Sequence, residues 1–500
     1  MGFARNPQRG IGRGAAGMLP LVALVCVLHS PPLRAAPWAE TGDIALRHEL
    51  QLLADAGVID GVLATWPVPW RSVAGALDEA SGDALSPTLA AARRHVQAAA
   101  HRALVQDGTA VELRAAGVGK PPALRGYADT PRTDGEVSLG VENRSGPFAG
   151  RVRATRVADP PDGHEERLDG SYGAFLAGGW WLGVGSLDRW WGPGWDGSLV
   201  LSNNARPVPA LFADRASAQP FASDWLAWLG PWRVSAFLGR LEANRTIGHA
   251  RMLGLRIAFR PLPGLSVGLS RTALFGGDNR PEDIDTIRNL LLGKDNQAAG
   301  PDSDQPGDQL GGIDARWSLA RYGAPVAAYG QLIGEDEAGG LPSKPLGQAG
   351  LETWGGTAAG TSWRLFAEFA DTAARFQLSQ PQFNAAYNHG VYTSGYRHYG
   401  RSMGHTIDGD SQLISLGGIV DLDRGPAFDW VLRRGRLNRD DGGVQPLAPR
   451  RTELASVTLG CRLVVNSVSV RLSGGAERID PVNADAETNR FFGVDVSYRY

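Results

Sequence analysis

Alternation with a period of two dominates the chain from about residue 109 onward. In the last eleven residues, Phe492, Val494, Val496, Tyr498 and Tyr500 share one parity, and Gly493, Asp495, Ser497 and Arg499 share the other. Successive side chains of a strand point to opposite faces, so this segment predicts a strand with one apolar and one polar face. The same pattern recurs upstream. Leu253, Leu255, Ile257 and Phe259 alternate with Gly254, Arg256, Ala258 and Arg260. Trp363, Leu365, Ala367 and Phe369 alternate with Arg364, Phe366 and Glu368, and Val457, Leu459, Cys461 and Leu463 oppose Ser456, Thr458, Gly460 and Arg462.

The connections alternate too. Short turn signals stand near Ser145-Gly146, Gly178-Gly179, Gly230-Pro231, Pro261–Gly264, Gly323–Pro325, Thr357–Gly360, Gly425-Pro426 and Val465-Asn466. Long polar segments separate them, near 158–169, 189–220, 243–250, 276–311, 334–346, 371–411, 437–452 and 475–489. An outer-membrane barrel has short periplasmic turns and long outer loops, and with a first connection near 119–134 this count implies about 18 strands. A sandwich or propeller does not require the alternation. The pattern therefore predicts a transmembrane antiparallel β-barrel over 109–500, with both ends on the periplasmic side.

Residues 37–108 read differently. Asp43 can cap a helix that carries Leu46, Leu50 and Leu53 on one face, and Gly57 can end it. A second helix fits Arg71 to Ala80. Ser86-Pro87 opens a third, to about Gln106. The rigid segment Thr65-Trp66-Pro67-Val68-Pro69-Trp70 links the first two. This predicts a small α domain, a periplasmic helical bundle at 37–108 that buries its apolar stripe locally or on the barrel rim. Upstream, Arg5, Arg9 and Arg13 precede an apolar stretch from about Ala15 to Leu28, and the small residues Ala35 and Ala36 follow. Residues 1–36 thus predict a secretory signal peptide. Val25 before Cys26 argues against a lipoprotein.

Composition narrows the class. No apolar run of about 18 residues follows the leader, which leaves a secreted soluble protein or a barrel. The chain's 66 Gly and slightly polar mean hydropathy suit a wall in which alternate residues face lipid. The formal net charge is −2, and the leader's four Arg make the remainder more acidic still. No nucleic-acid footprint is present. Beyond the leader only Cys461 remains, on the apolar parity of a strand, so no intramolecular disulfide is available.

Several longer motifs carry a resemblance. They include Leu46-Arg47-His48-Glu49-Leu50, Trp190-Trp191-Gly192-Pro193-Gly194-Trp195-Asp196-Gly197 and Leu201-Ser202-Asn203-Asn204-Ala205-Arg206-Pro207. Further on come Phe275-Gly276-Gly277-Asp278, Ile333-Gly334-Glu335-Asp336-Glu337, Glu368-Phe369-Ala370-Asp371-Thr372 and Tyr387-Asn388-His389. Over nearly the whole chain these resemble the capsule assembly protein Wzi family. The resemblance implies an 18-stranded outer-membrane barrel with a periplasmic helical bundle, and a lectin-like role in attaching capsular polysaccharide or exopolysaccharide.

Two segments have chemistry suited to a glycan. Sugar rings pack their C–H faces on aromatic rings, and their hydroxyls need amide, carboxylate or guanidinium partners. Trp190, Trp191, Trp195, Asp196, Asn203, Asn204 and Arg206 offer both in one segment; Tyr396 and Arg397 offer them in the 371–411 segment. Interfacial Trp girdles and polar networks bracing a barrel mouth would use the same residue types. No metal site is expected, since the His residues near 389–405 lack ligand spacing and Asp408-Gly409-Asp410 is too short for a calcium loop. Glu335-Asp336-Glu337 reads as solvated loop, and neither an enzyme nor a cofactor is expected. The 47 Arg against 3 Lys would suit an acidic polymer but fit a composition bias equally. Expected partners are the polysaccharide, outer-membrane lipid, and the barrel assembly machinery through the strand ending at Tyr500. The alternative function is a porin for small solutes.

Overall fold

The computed structural model describes residues 36–500 apart from 60–61, 80–84, 105–106, 284, 287, 289–306 and 339–340. All of the expected leader but Ala36 lies outside the described residues. The wall is a closed barrel of 18 antiparallel strands. It begins at Gly108–Val118 and ends at Glu487–Arg499, and these two strands pair to close it, Arg499 opposite Glu112 and Gly493 opposite Val118. Tyr500 and Val111 exchange both backbone hydrogen bonds at 2.8 Å, which seals the rim. The fourth wall strand is broken: Glu166–Arg167 and Tyr172–Ala177 both pair with Phe148–Ala158.

The burial pattern is inverted relative to a soluble fold. In the strand Ala427–Leu437, Leu432 is 45% exposed while its neighbour Arg433 is 6% exposed. Elsewhere Leu351, Ile414, Leu459 and Phe492 face outward, and Arg256 and Arg364 are fully buried inside. Lipid-facing apolar and lumen-facing polar residues are what a membrane wall requires. At the short-turn end the 216–231 connection carries a 3-10 turn, Ala227–Leu229, and exposes Trp225 and Trp228. Trp at the level of the headgroups is the usual interfacial anchor.

Some expected loops are strand. Val326–Ala338 and Leu341–Gly356 run through the 334–346 segment, Pro209–Arg215 lies inside 189–220, and the 475–489 loop shrinks to 482–486 between Val468–Pro481 and Glu487–Arg499. The first and last of these are strand ends whose polar residues keep backbone pairing but lose the apolar parity that marks a strand in sequence. Pro209–Arg215 is a whole wall strand, paired with Trp180–Ser186 and Trp232–Arg240, and its parity is hidden by apolar residues on both faces, Leu211 outward and Phe212 inward.

Three helices precede the wall: α1 (Ile44–Asp55), α2 (Trp70–Glu79) and α3 (Pro87–Leu104). Asp43 caps α1 by accepting from the Leu46 N–H at 3.1 Å, and Ser86 Oγ accepts from Leu89 N–H at the start of α3. Helix α1 does not bury a single stripe. Arg47, His48 and Glu49 are buried along with Leu50, Leu52 and Leu53. The reason is its surroundings: helix residues Leu50, Leu53, Val73 and Val96 share one core with the wall residues Tyr329, Trp354, Phe366 and Ile419. The helical segment is a plug in the short-turn end of the barrel. It has no core separate from the wall.

Candidate functional site in the barrel mouth

From the opposite end, the 187–208 segment between wall strands folds into the lumen to meet the plug. Trp190 and Trp191 pair as a two-residue antiparallel ladder with Trp66 and Thr65. Tyr127 stands edge-on between Trp66 and Trp190, with ring centroids 5.4 and 5.2 Å away. Arg47 reaches up from α1. Its guanidinium lies 4.3 Å from the ring centroids of both Tyr127 and Trp195, and it donates to the Pro193 and Gly194 carbonyls at 2.9 Å. A Cβ on Gly197 would collide with the His405 ring, so this close approach requires glycine.

Carboxylates then staple the segment to the wall. Asp196 takes a bidentate pair from Arg433, the nearest contact at 2.6 Å, and accepts from Ser415 Oγ. Burial pushes the Asp196 carboxyl up, but the Arg433 guanidinium outweighs it and holds the group below its ordinary value. Trp195 donates its indole N–H to Glu352 at 2.7 Å, and Glu352 is also paired with Arg316 and Arg364. Arg316 and Arg364 in turn hold Asp55 at the end of α1. Burial drives His48 well below its usual range, so it is neutral. Arg364 Nε donates to its Nδ1 at 3.2 Å, which leaves Nε2 to donate to Ser362 Oγ at 3.0 Å.

The 372–411 segment covers the outer side. Arg397 forms a bidentate pair with Asp408 at 2.6 and 2.7 Å, Tyr387 donates to the Leu199 carbonyl at 2.7 Å, and Tyr387 stacks on Tyr396. Asn204 donates to the Ser402 carbonyl and Asn203 to the Tyr127 carbonyl. The lumen therefore holds protein from both ends. A cavity of about 510 Å³ remains between the residues 36–46 and the wall beside Glu112, Arg114, Arg151 and Asp495.

This arrangement changes the reading of the expected glycan contacts. Trp190, Trp191, Trp195, Asp196, Asn203, Asn204, Tyr396 and Arg397 are all buried. They are enclosed by protein, and most of their polar groups bond to it, although Trp191 Nε1 and Asn203 Oδ1 have no hydrogen-bond partner among the described residues, so they do not form the outer surface of the mouth. Arg206 alone is partly open. It pairs with Asp162 and Asp169, and its guanidinium lies 4.2 Å from the Tyr399 ring centroid. Tyr399 is half-buried, and an exposed His164 meets its ring edge at 5.0 Å. Tyr399 also holds a left-handed φ of 49°, uncommon for a bulky residue. Tyr399 and His164 lie in long polar loops, but nothing local in the sequence joins them to Arg206.

Gly264-Leu265-Ser266-Val267-Gly268 spells a nucleophile-elbow pattern. Ser266, however, lies at the start of the antiparallel wall strand Leu265–Phe275, not on a strand-to-helix turn. The side chains of Glu335, Asp336 and Glu337 lie outside the described residues.

Comparison with known proteins gives a consistent result. The family described as capsule assembly protein Wzi matches residues 109–492. An uncharacterized 55.8 kDa protein in the cps region of Klebsiella pneumoniae is 30% identical over 460 residues, which are 89% of this chain and 86% of that protein. The solved structure of Wzi of Escherichia coli superposes with a TM-score of 0.80 at 25% identity, covering 93% of this chain and 99% of that one. That protein is described as an outer membrane protein involved in group 1 capsule assembly and as a carbohydrate-binding β-barrel.

Proposed function

The chain belongs to the capsule assembly protein Wzi family, and from that membership we propose that it is an outer-membrane barrel that binds and anchors capsular polysaccharide or a related exopolysaccharide at the bacterial surface. The observation that carries the reading is a lumen filled from both ends beneath a polar, partly aromatic mouth. A filled lumen suits holding a polymer rather than passing solutes. The contact surface we assign is the cluster of Tyr399 and His164, where a half-buried aromatic ring and an exposed imidazole meet solvent beside the ion-paired Arg206, Asp162 and Asp169. The buried Trp and Asn residues form the floor that fixes this cluster in place.

The role is attachment rather than catalysis. The outward apolar belt takes outer-membrane lipid as its partner, and the closing strand ending at Tyr500 would be read by the barrel assembly machinery. Residues 1–36 would direct export, and the α1–α3 plug would face the periplasm, since it sits at the short-turn end.

Deleting the gene should release polysaccharide into the medium without stopping its synthesis. Tyr399→Ala with His164→Ala should weaken binding of purified surface polysaccharide about tenfold per bound segment, or ~1.4 kcal/mol, while the barrel keeps its heat-modifiable mobility. Each contact is weak, but repeats along one polymer and many barrels per cell give avidity. A deletion strain that keeps all its glycan cell-associated would overturn the attachment reading.

A further inference from the structure

The geometry points to a divalent metal site of the zinc type at the short-turn end, formed by Glu49 of α1, His95 of α3 and Asp421 at the end of the wall strand Gln412–Asp421. One ligand atom from each lies within 4.8 Å of the other two. Zinc holds nitrogen and carboxylate oxygen at about 2.0–2.2 Å, which sets neighbouring ligands about 3–4 Å apart. Small rotamer shifts that open the 2.5 Å His95–Glu49 contact reach that spacing. One imidazole with two carboxylates favours a zinc-like ion over magnesium or calcium.

A second observation is independent of this spacing. Inward carboxylates of this barrel are repeatedly matched with arginine: Asp196 with Arg433, Asp314 with Arg256, Asp429 with Arg471, Asp495 with Arg114. Glu49 and Asp421 form no ion pair with arginine or lysine among the described residues. Glu49 is buried, and its one cationic neighbour is His95, with Nδ1 2.5 Å from its carboxylate. Two facing carboxylates in a partly buried site need a proton or a cation between them. The other ring nitrogen of His95 lies 3.8 Å from the Asp423 carboxylate, too far for a hydrogen bond but near enough to favour a cation at this end of the ring. Asp423 is itself held by Arg94 at 2.6 Å. His95 is 38% exposed, which leaves a path for the ion and a position for water as the fourth ligand.

Such an ion would join three separate pieces: the first helix, the third helix and the wall. It would clamp the plug to the barrel at the end away from the glycan surface, and it does not rest on the attachment reading. Sequence inspection misses it because the ligands stand at positions 49, 95 and 421.

The test uses the untagged full chain in detergent micelles, stripped with a chelator and dialysed against Zn²⁺ alone. We expect one zinc per chain at micromolar free metal. His95→Ala and Glu49→Gln should each weaken binding at least thirtyfold, and zinc X-ray absorption of the wild type should show a single imidazole among oxygen ligands. The absorption measurement decides the matter if the variants lose heat-modifiable mobility. Absence of stoichiometric binding, unchanged affinity in both variants, or a spectrum without imidazole would each overturn the site.

Discussion

His405 is a small pH gauge set in the 372–411 segment that covers the mouth. Burial holds its folded pKa at about 4, against an ordinary 6.5. Above about pH 6.5 both folded and unfolded chains carry a neutral ring, and its contribution to stability is complete. As pH falls from about 6.5 to about 4, the unfolded chain takes a proton that the folded chain refuses, and stability is lost, up to about 3 kcal/mol. Asp410 runs the other way: burial lifts it to about 6, so its contribution grows as pH falls through that value. The two oppose each other in the wild type. The difference in unfolding free energy between wild type and His405→Gln isolates the histidine. It should shrink in that window by roughly the same 3 kcal/mol in guanidinium titrations of vesicle-inserted protein, and a pH-independent difference would contradict the assignment. The residues of this mouth were legible by type and not by role. Trp195 beside Asp196 is the chemistry of a sugar platform and equally that of a lumen plug. Only the arrival of Arg47, Glu352 and Arg433, each more than a hundred positions away, decides which.

Strands were the most legible elements, because lipid outside and a polar lumen inside impose parity on every one that crosses. Leu432 and Arg433 illustrate the constraint. Adjacent in sequence, they face lipid and lumen respectively. Leu432→Arg places a charge on the lipid face and should cost about 2–4 kcal/mol if the residue lies near the bilayer midplane; equilibrium refolding into vesicles measures it, and a cost under 1 kcal/mol would mean the belt is placed too high or too low. Legibility failed where that constraint ends. Pro209–Arg215 reads as loop because both of its faces carry apolar residues, Leu211 outward and Phe212 inward, and the hairpin after Ile333 because its run of acids obscures the parity. The helices were legible from caps and from Leu spacing. Their burial was not, since a stripe of Leu46, Leu50 and Leu53 does not reveal that Arg47, His48 and Glu49 on the same helix are also enclosed.

At the scale of the whole molecule, an 18-stranded wall is wide enough to leave a channel unless something fills it. Here the plug and two outer segments fill it, so purified protein in planar bilayers should show no stable conducting state. Persistent single-channel steps would restore the porin alternative. The ladder between Thr65-Trp66 and Trp190-Trp191 also has a mechanical meaning. A surface polymer swept by flow drags on whatever holds it. If the mouth were a set of hanging loops, that drag would stretch them. In this barrel the loop that underlies the mouth is interlocked with the N-terminal segment below it and stapled sideways to the wall through Asp196 and Arg433. Tension applied outside is therefore spread around the hoop of strands and into the lipid, and no single loop has to bear it.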